Sequence, residues 1–310
     1  MKYWPAIWLL ALLQGCAGTL PAKLAQDAGR GQDASAHIDE LPFFPQDDYQ
    51  CGPAALATVL AHNGLAVMPE DLIGEVFVPG RKGSFQFELA ASARRHEQLA
   101  YPLQGGLNAL LDELDAGHPV LVLQNLGLSW YPQWHYAVAR GYDLPRRELI
   151  LNSGTLENYR LALATFARTW VRAEEWGLVI LSPGQLPTTA APDAYFSAIL
   201  PQLSGAGSAS TAIQRQLLQA GLERWPQHLE LLMAHGNQLY AQGELQAALQ
   251  EFERAASYHP DYAYAWNNQA VVAAELGLRE QALAAVTKAR ALAPADDATV
   301  NATWQELQAQ

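Results

Sequence analysis

Cysteine is nearly absent from this sequence: two residues in 310, Cys16 and Cys51. So few exclude a disulfide framework, and the fold must rest on packing. Positive charge is also scarce, with 19 Lys and Arg against 31 Asp and Glu, a net charge of −12 and a pI near 5. No basic stripe is available to displace counterions from a nucleic acid, and no polybasic segment to hold an anionic membrane surface. Charged residues make up only 16% of the chain and hydrophobic ones half, a balance typical of globular rather than disordered sequence. The length leaves room for two domains. Nothing in the residues calls for a metal or a cofactor.

What is present starts with a short export signal. Lys2 precedes an apolar run over residues 6–13, too short to span a bilayer and of signal-peptide length. The run ends in Leu13-Gln-Gly-Cys16, which resembles the lipobox of bacterial lipoproteins, with Gln14 departing from the residue usual at its place. The resemblance implies removal of 1–15, lipidation of Cys16 and, with Ala17 rather than Asp following, the periplasmic face of the outer membrane. Residues 16–40 then read as a flexible tether.

The next stretch organises the first domain. Cys51 opens an apolar helical pattern that runs through Pro53, tolerated in a first turn, to the stop at Asn63-Gly64. A helix N-terminus favours an anion, which suits a cysteine nucleophile and predicts a Cys51 pKa well below the ordinary thiol value. Further helices are expected over 69–76, 87–97, 107–116 and 163–173, and strands over 119–123, 134–142, 148–152 and 178–181. Helices followed by an antiparallel sheet give an α+β domain over 41–182. Among the eight histidines, His62 lies about 16 Å along the helix from Cys51, His96 and His118 sit at helix ends, His37 falls in the tether, and His228, His235 and His259 belong to the helical region that follows. His135, opening a strand between Trp134 and Tyr136, is the remaining partner for Cys51.

Gln46, Cys51-Gly-Pro-Ala-Ala-Leu and His135-Tyr-Ala-Val-Ala-Arg-Gly-Tyr-Asp143 together resemble the papain-like peptidases that cleave double-glycine leaders from bacteriocin precursors. That resemblance covers about 41–182. It implies Cys51 as nucleophile, His135 as general base and acid, Gln46 with the Cys51 N–H as oxyanion donors, and Asn152 as the group that orients His135. The family usually has Asp there, and Gln46 is one residue closer to Cys51 than the commonest spacing, which leaves Gln50 as a rival donor.

After a linker over 183–210, rich in Gly, Ser, Ala and Pro around one short apolar piece (Tyr195–Leu200), the pattern is purely helical. Gly243, Ala248, Ala255 and Pro260 recur as Gly277, Ala282, Ala289 and Pro294, each 34 residues on. This resembles tetratricopeptide repeats, over 229–262 and 263–296, with a degenerate half-repeat from 211 and a capping helix over 297–310. Glu230, Met233, Asn237, Tyr240, Tyr264, Asn267 and Val271 are expected on the concave, protein-docking face, without the lysines of a carboxylate clamp. The function expected is a lipid-anchored thiol peptidase whose repeats recruit a protein or peptide. The alternatives are an inactive papain-like scaffold and an acyl or aminoacyl transferase using the same residues.

Overall fold

The computed structural model describes residues 31, 33–45, 50–81, 83–204 and 209–309. The expected signal over 1–15, the lipidation site Cys16 and the oxyanion donor Gln46 lie outside the described residues. The chain divides into two units, Met1–Ala190 and Ala191–Gln310.

Among the described residues the first unit carries nine strands: β1 (Ser35–His37), β2 (Phe77–Val78), β3 (Gly83–Ser84), β4 (Leu99–Pro102), β5 (Val120–Asn125), β6 (Trp134–Asp143), β7 (Glu148–Ser153), β8 (Leu156–Ala162) and β9 (Gly177–Leu181). Its helices are α1 (Cys51–His62), α2 (Pro69–Val76), α3 (Gln86–Arg95), α4 (Gly106–Asp115) and α5 (Leu163–Val171). The main sheet runs β4-β9-β5-β6-β7-β8, with β1 added beside β6, and every pair is antiparallel. Strand β6 is its axis. Its first half pairs with β5, its last three residues with β1, and its other edge with β7.

Helix α1 is buried without a break from Gly52 to Leu60, so it is a core helix rather than an amphipathic surface one. It stops where expected, with Gly64 in the left-handed region at φ 88°. All six residues of β5 and all five of β9 are buried, which accounts for their continuous apolar runs.

Two expected boundaries move. The tether does not extend to residue 40: Ser35–His37 form β1, Ile38 is buried, and the guanidinium of Arg140 donates to the carbonyls of Ile38 and Asp39. A buried guanidinium needs such acceptors, and this segment supplies them. The linker over 183–210 is likewise interrupted by a 12-residue helix, α6 (Pro192–Leu203), which buries Tyr195, Ala198, Ile199 and Gln202.

In the second unit, α6 is followed by α7 (Thr211–Arg224), α8 (Leu229–Ala241), α9 (Leu245–Tyr258), α10 (Ala263–Glu275), α11 (Arg279–Leu292) and α12 (Ala298–Ala309). The pair α10 and α11 reproduces α8 and α9 residue for residue at the 34-residue offset, and α7 has the bounds of a second helix one repeat earlier. Ala248, Ala255, Ala282 and Ala289 are fully buried, letting paired helices approach closely. Gly243 and Gly277 make the same left-handed stop, at φ 74° and 75°.

Candidate active site

The site begins with α1. Gln50, the residue before it, is exposed and makes no capping bond. The N–H groups of Gly52 and of Cys51 itself are directed at the Cys51 sulfur. Gly52 is required where it stands, because a Cβ there would collide with Ser84 Oγ. Across the same contact, Tyr136 donates its hydroxyl to the Ser84 carbonyl at 3.1 Å and packs edge-on against Trp176, ring centroids 5.7 Å apart. These contacts lodge the start of α1 against the start of β6.

Cys51 is half-buried and free. Its sulfur lies against the backbone of Tyr136, the residue after His135. Burial pushes the thiol above its ordinary value, and the N–H groups of Tyr136, Gly52 and Cys51 itself oppose that only in part. The depressed thiol expected from the helix terminus is therefore not found. Desolvation outweighs the helix dipole once the sulfur is covered. Burial also pulls His135 below its ordinary value.

The His135 ring is held by Ser153, whose hydroxyl lies 2.8 Å from Nε2. Asn152, expected in that place, is buried elsewhere. Its Oδ1 accepts from Arg140 at 3.2 Å and from the Asn158 N–H at 3.3 Å, and its Nδ2 donates to the Pro42 carbonyl at 3.4 Å. The cause is a β-bulge. From the turn inward, Asp143 faces Glu148, Tyr142 faces Leu149 and Gly141 faces Ile150, but Ala139 then faces Leu151 and Val138 faces Asn152. Without the extra residue at Arg140, Asn152 would face Ala139 and share the His135 side of the sheet. The one-residue slip turns Asn152 to the other side and brings Ser153 round to the ring. No feature of the sequence marks the bulge.

Of the residues picked out in the sequence, Cys51 lies against the backbone of Tyr136, next to His135, Asn152 is held by Arg140 and Pro42, and Gln46 lies outside the described residues. A cavity of about 320 Å³ lined by His62, Asn63, His118 and Gln185 lies at the opposite end of α1 and does not reach Cys51. Among the described residues, no group of three or more His, Cys, Asp or Glu is placed to hold a metal ion. None of their helices is long and apolar enough to cross a membrane.

In the second unit, the polar residues of the first helices link successive repeats: Asn268 donates to Asn237 at 3.2 Å, Tyr264 to Asp297 at 2.7 Å, and Tyr240 to Glu275. Glu230, Asn237, Tyr240 and Tyr264 are exposed as expected. Asn267 is buried instead, so it does not line the docking face.

A cysteine thus opens a buried helix that packs against an antiparallel strand carrying His135 as its second residue. Residues 38–176 match the model of the Peptidase_C39 like family. Among solved structures, a protein from Bacillus anthracis described as a C39-like peptidase is 16% identical, covering 48% of this chain and 98% of its own, with a TM-score of 0.42. A double glycine motif protease from an AMS/PCAT transporter, solved with its leader peptide, is 21% identical over 47% of this chain and 93% of its own, at 0.38. The helical region is similar to MamA, 14% identical over 38% of this chain and 62% of that one, at 0.34. No curated protein matches the sequence.

Proposed function

We propose that the chain is a thiol peptidase, anchored by lipid at Cys16 on the periplasmic face of the outer membrane, that cuts a protein or peptide at Cys51. The observation that carries the chemistry is the seating of Cys51, at a helix N-terminus, against the backbone next to His135. Ser153 engages Nε2 of the ring, which leaves Nδ1 as the nitrogen to take the thiol proton. As the sulfur attacks the scissile carbonyl, His135 receives that proton and then gives it to the leaving amine. Water afterwards releases the acyl group from the sulfur. The Cys51 N–H, with Gln46 or Gln50, serves the oxyanion. The repeats recruit the substrate protein, in keeping with the exposed polar face of their first helices.

The test is a peptide library incubated with the parent and with Cys51→Ala, read by mass spectrometry. Products from the parent alone support the reading, whereas equal products from both defeat it. An added amine that appears in the products would move the assignment to acyl transfer. Anchoring is tested by metabolic labelling with a fatty acid: Cys16→Ser should lose the label, and equal labelling would remove the anchor.

A further inference from the structure

The loop between β5 and β6, residues 126–133, joined to Trp134 at its base, carries a run of exposed apolar side chains. Leu126, Leu128, Trp130, Tyr131 and Trp134 are all exposed, from 49% for Leu126 to 81% for Trp130. Between Asn125 and His135 there is no charged residue. The loop is also built. Leu128 and Tyr131 exchange backbone hydrogen bonds at 3.1 Å, and Leu126 donates to the Gln133 carbonyl at 2.8 Å. Asn125 Oδ1 accepts from the N–H groups of Gly127 and Gln133, both at 3.0 Å. Pro132 has no N–H to satisfy. Arg172 donates to the Asn125 carbonyl at 2.8 Å and fixes the loop at its root. Gly127 is tied to this shape, since a Cβ there would strike the Tyr131 carbonyl.

We propose that this loop is a membrane-contacting finger whose tip enters the headgroup region of a phospholipid bilayer. Three observations favour lipid over a protein partner. The tip side chains are Trp, Tyr and Leu, the residues that sit well at a membrane–water interface. Most of the loop's backbone donors are satisfied within the loop or by Asn125, which a segment entering an apolar phase requires. Trp130 stands 81% exposed, whereas the anchors of protein interfaces fill a pocket. The acidic chain supplies no electrostatic pull, so the contact is apolar and independent of anionic lipid. Its consequence is positional. His135 is five residues from Trp130, so the candidate site would stand within about 17 Å of the headgroups. Substrate would then be met close to the membrane. The inference does not depend on the chemistry at Cys51.

The experiment uses the full chain and its Trp130→Phe variant with phosphatidylcholine vesicles containing brominated acyl chains. Both share one N-terminus, so any binding through residues 1–16 contributes equally. The parent should lose more of its tryptophan emission than the variant, by about one tryptophan's share, and Trp130→Asp should abolish the difference while leaving the far-ultraviolet dichroism unchanged. The same quenching should persist when a fraction of the lipid is made anionic. Equal quenching of parent and Trp130→Phe overturns the proposal. So does self-association of the parent without vesicles that Trp130→Asp removes, which would give the finger to a second copy.

Discussion

Ser153→Ala and Asn152→Ala should fail in different ways. Ser153 makes one neutral hydrogen bond to His135, at 2.8 Å and partly buried. Its net worth is about 0.5–1.5 kcal/mol. If the ring must hold that orientation through proton transfer, the loss appears as a roughly two- to tenfold fall in kcat/KM. Stability should fall by no more than that net worth. Ser153→Thr, which keeps the hydroxyl, should recover most of the rate. Asn152→Ala instead takes one acceptor from the buried guanidinium of Arg140, which keeps the Ile38 and Asp39 carbonyls and Glu157. A buried donor left short costs about 1–3 kcal/mol, seen as a lower urea midpoint with kcat/KM nearly unchanged. The assay is hydrolysis of a cleaved peptide alongside urea unfolding followed by β-sheet dichroism. A large rate loss from Asn152→Ala at unchanged stability, with none from Ser153→Ala, would refute the assignment of Ser153 to the ring.

That contrast marks how far the sequence could be read. The helix at Cys51, the strand opening at His135 and the hairpin after it were all legible, because each rests on local signals: a Pro in the first turn, a Gly stop, runs of β-branched and aromatic residues. The third member was not. Its identity depends on register, and one bulge residue at Arg140 exchanges the faces of Asn152 and Ser153. Strand β8 escaped for a different reason. Six of its seven residues are exposed, so it is an edge with no buried face and leaves no alternation to read. The charge state of Cys51 was also misjudged. A helix terminus is visible in sequence, but the desolvation that overrides it comes from β6 and is not.

In the second unit the repeat period carried nearly everything, since each helix pair makes the same local contacts. It failed at α6, which departs from the period. Its apolar residues, Tyr195, Ala198 and Ile199, sit among the Pro and Ala of a segment whose composition reads as a linker. Tyr195 also donates its buried hydroxyl to the Leu217 carbonyl at 2.7 Å, a contact that only the folded chain reveals.

Alkylation of Cys51 by iodoacetamide, measured in a Cys16→Ser chain, should rise through a midpoint above the ordinary thiol value of about 8.5. A plateau already reached below pH 8 would mean that an ion pair with His135 forms after all. The remaining prediction concerns Glu113, whose side chain is fully buried. It accepts from His118 Nδ1 at 2.6 Å, from the Thr189 N–H at 2.7 Å and from the Thr189 hydroxyl at 2.6 Å. Burial alone would raise this carboxyl, but the bonds from His118 and Thr189 win and hold it below the usual carboxylate range. A carboxyl lower in the folded state than the unfolded value of about 4.3 adds stability above that pH. The contribution is lost as pH falls through the folded value. Glu113→Gln keeps one acceptor oxygen for the Thr189 N–H and hydroxyl, loses the charge and sets an NH2 against His118 Nδ1, at a cost of about 3 kcal/mol. The readout is hydrogen exchange at the Thr189 amide, because a chain of two units need not unfold in one step. Exchange should quicken by about a hundredfold in the variant. A chain ending at Ser182, the boundary expected from sequence, should lose the same stability because it lacks Thr189. If Glu113→Gln leaves Thr189 exchange unchanged and the acid sensitivity below pH 4 intact, Thr189 is not clamped by this carboxylate and the first domain does end near Ser182.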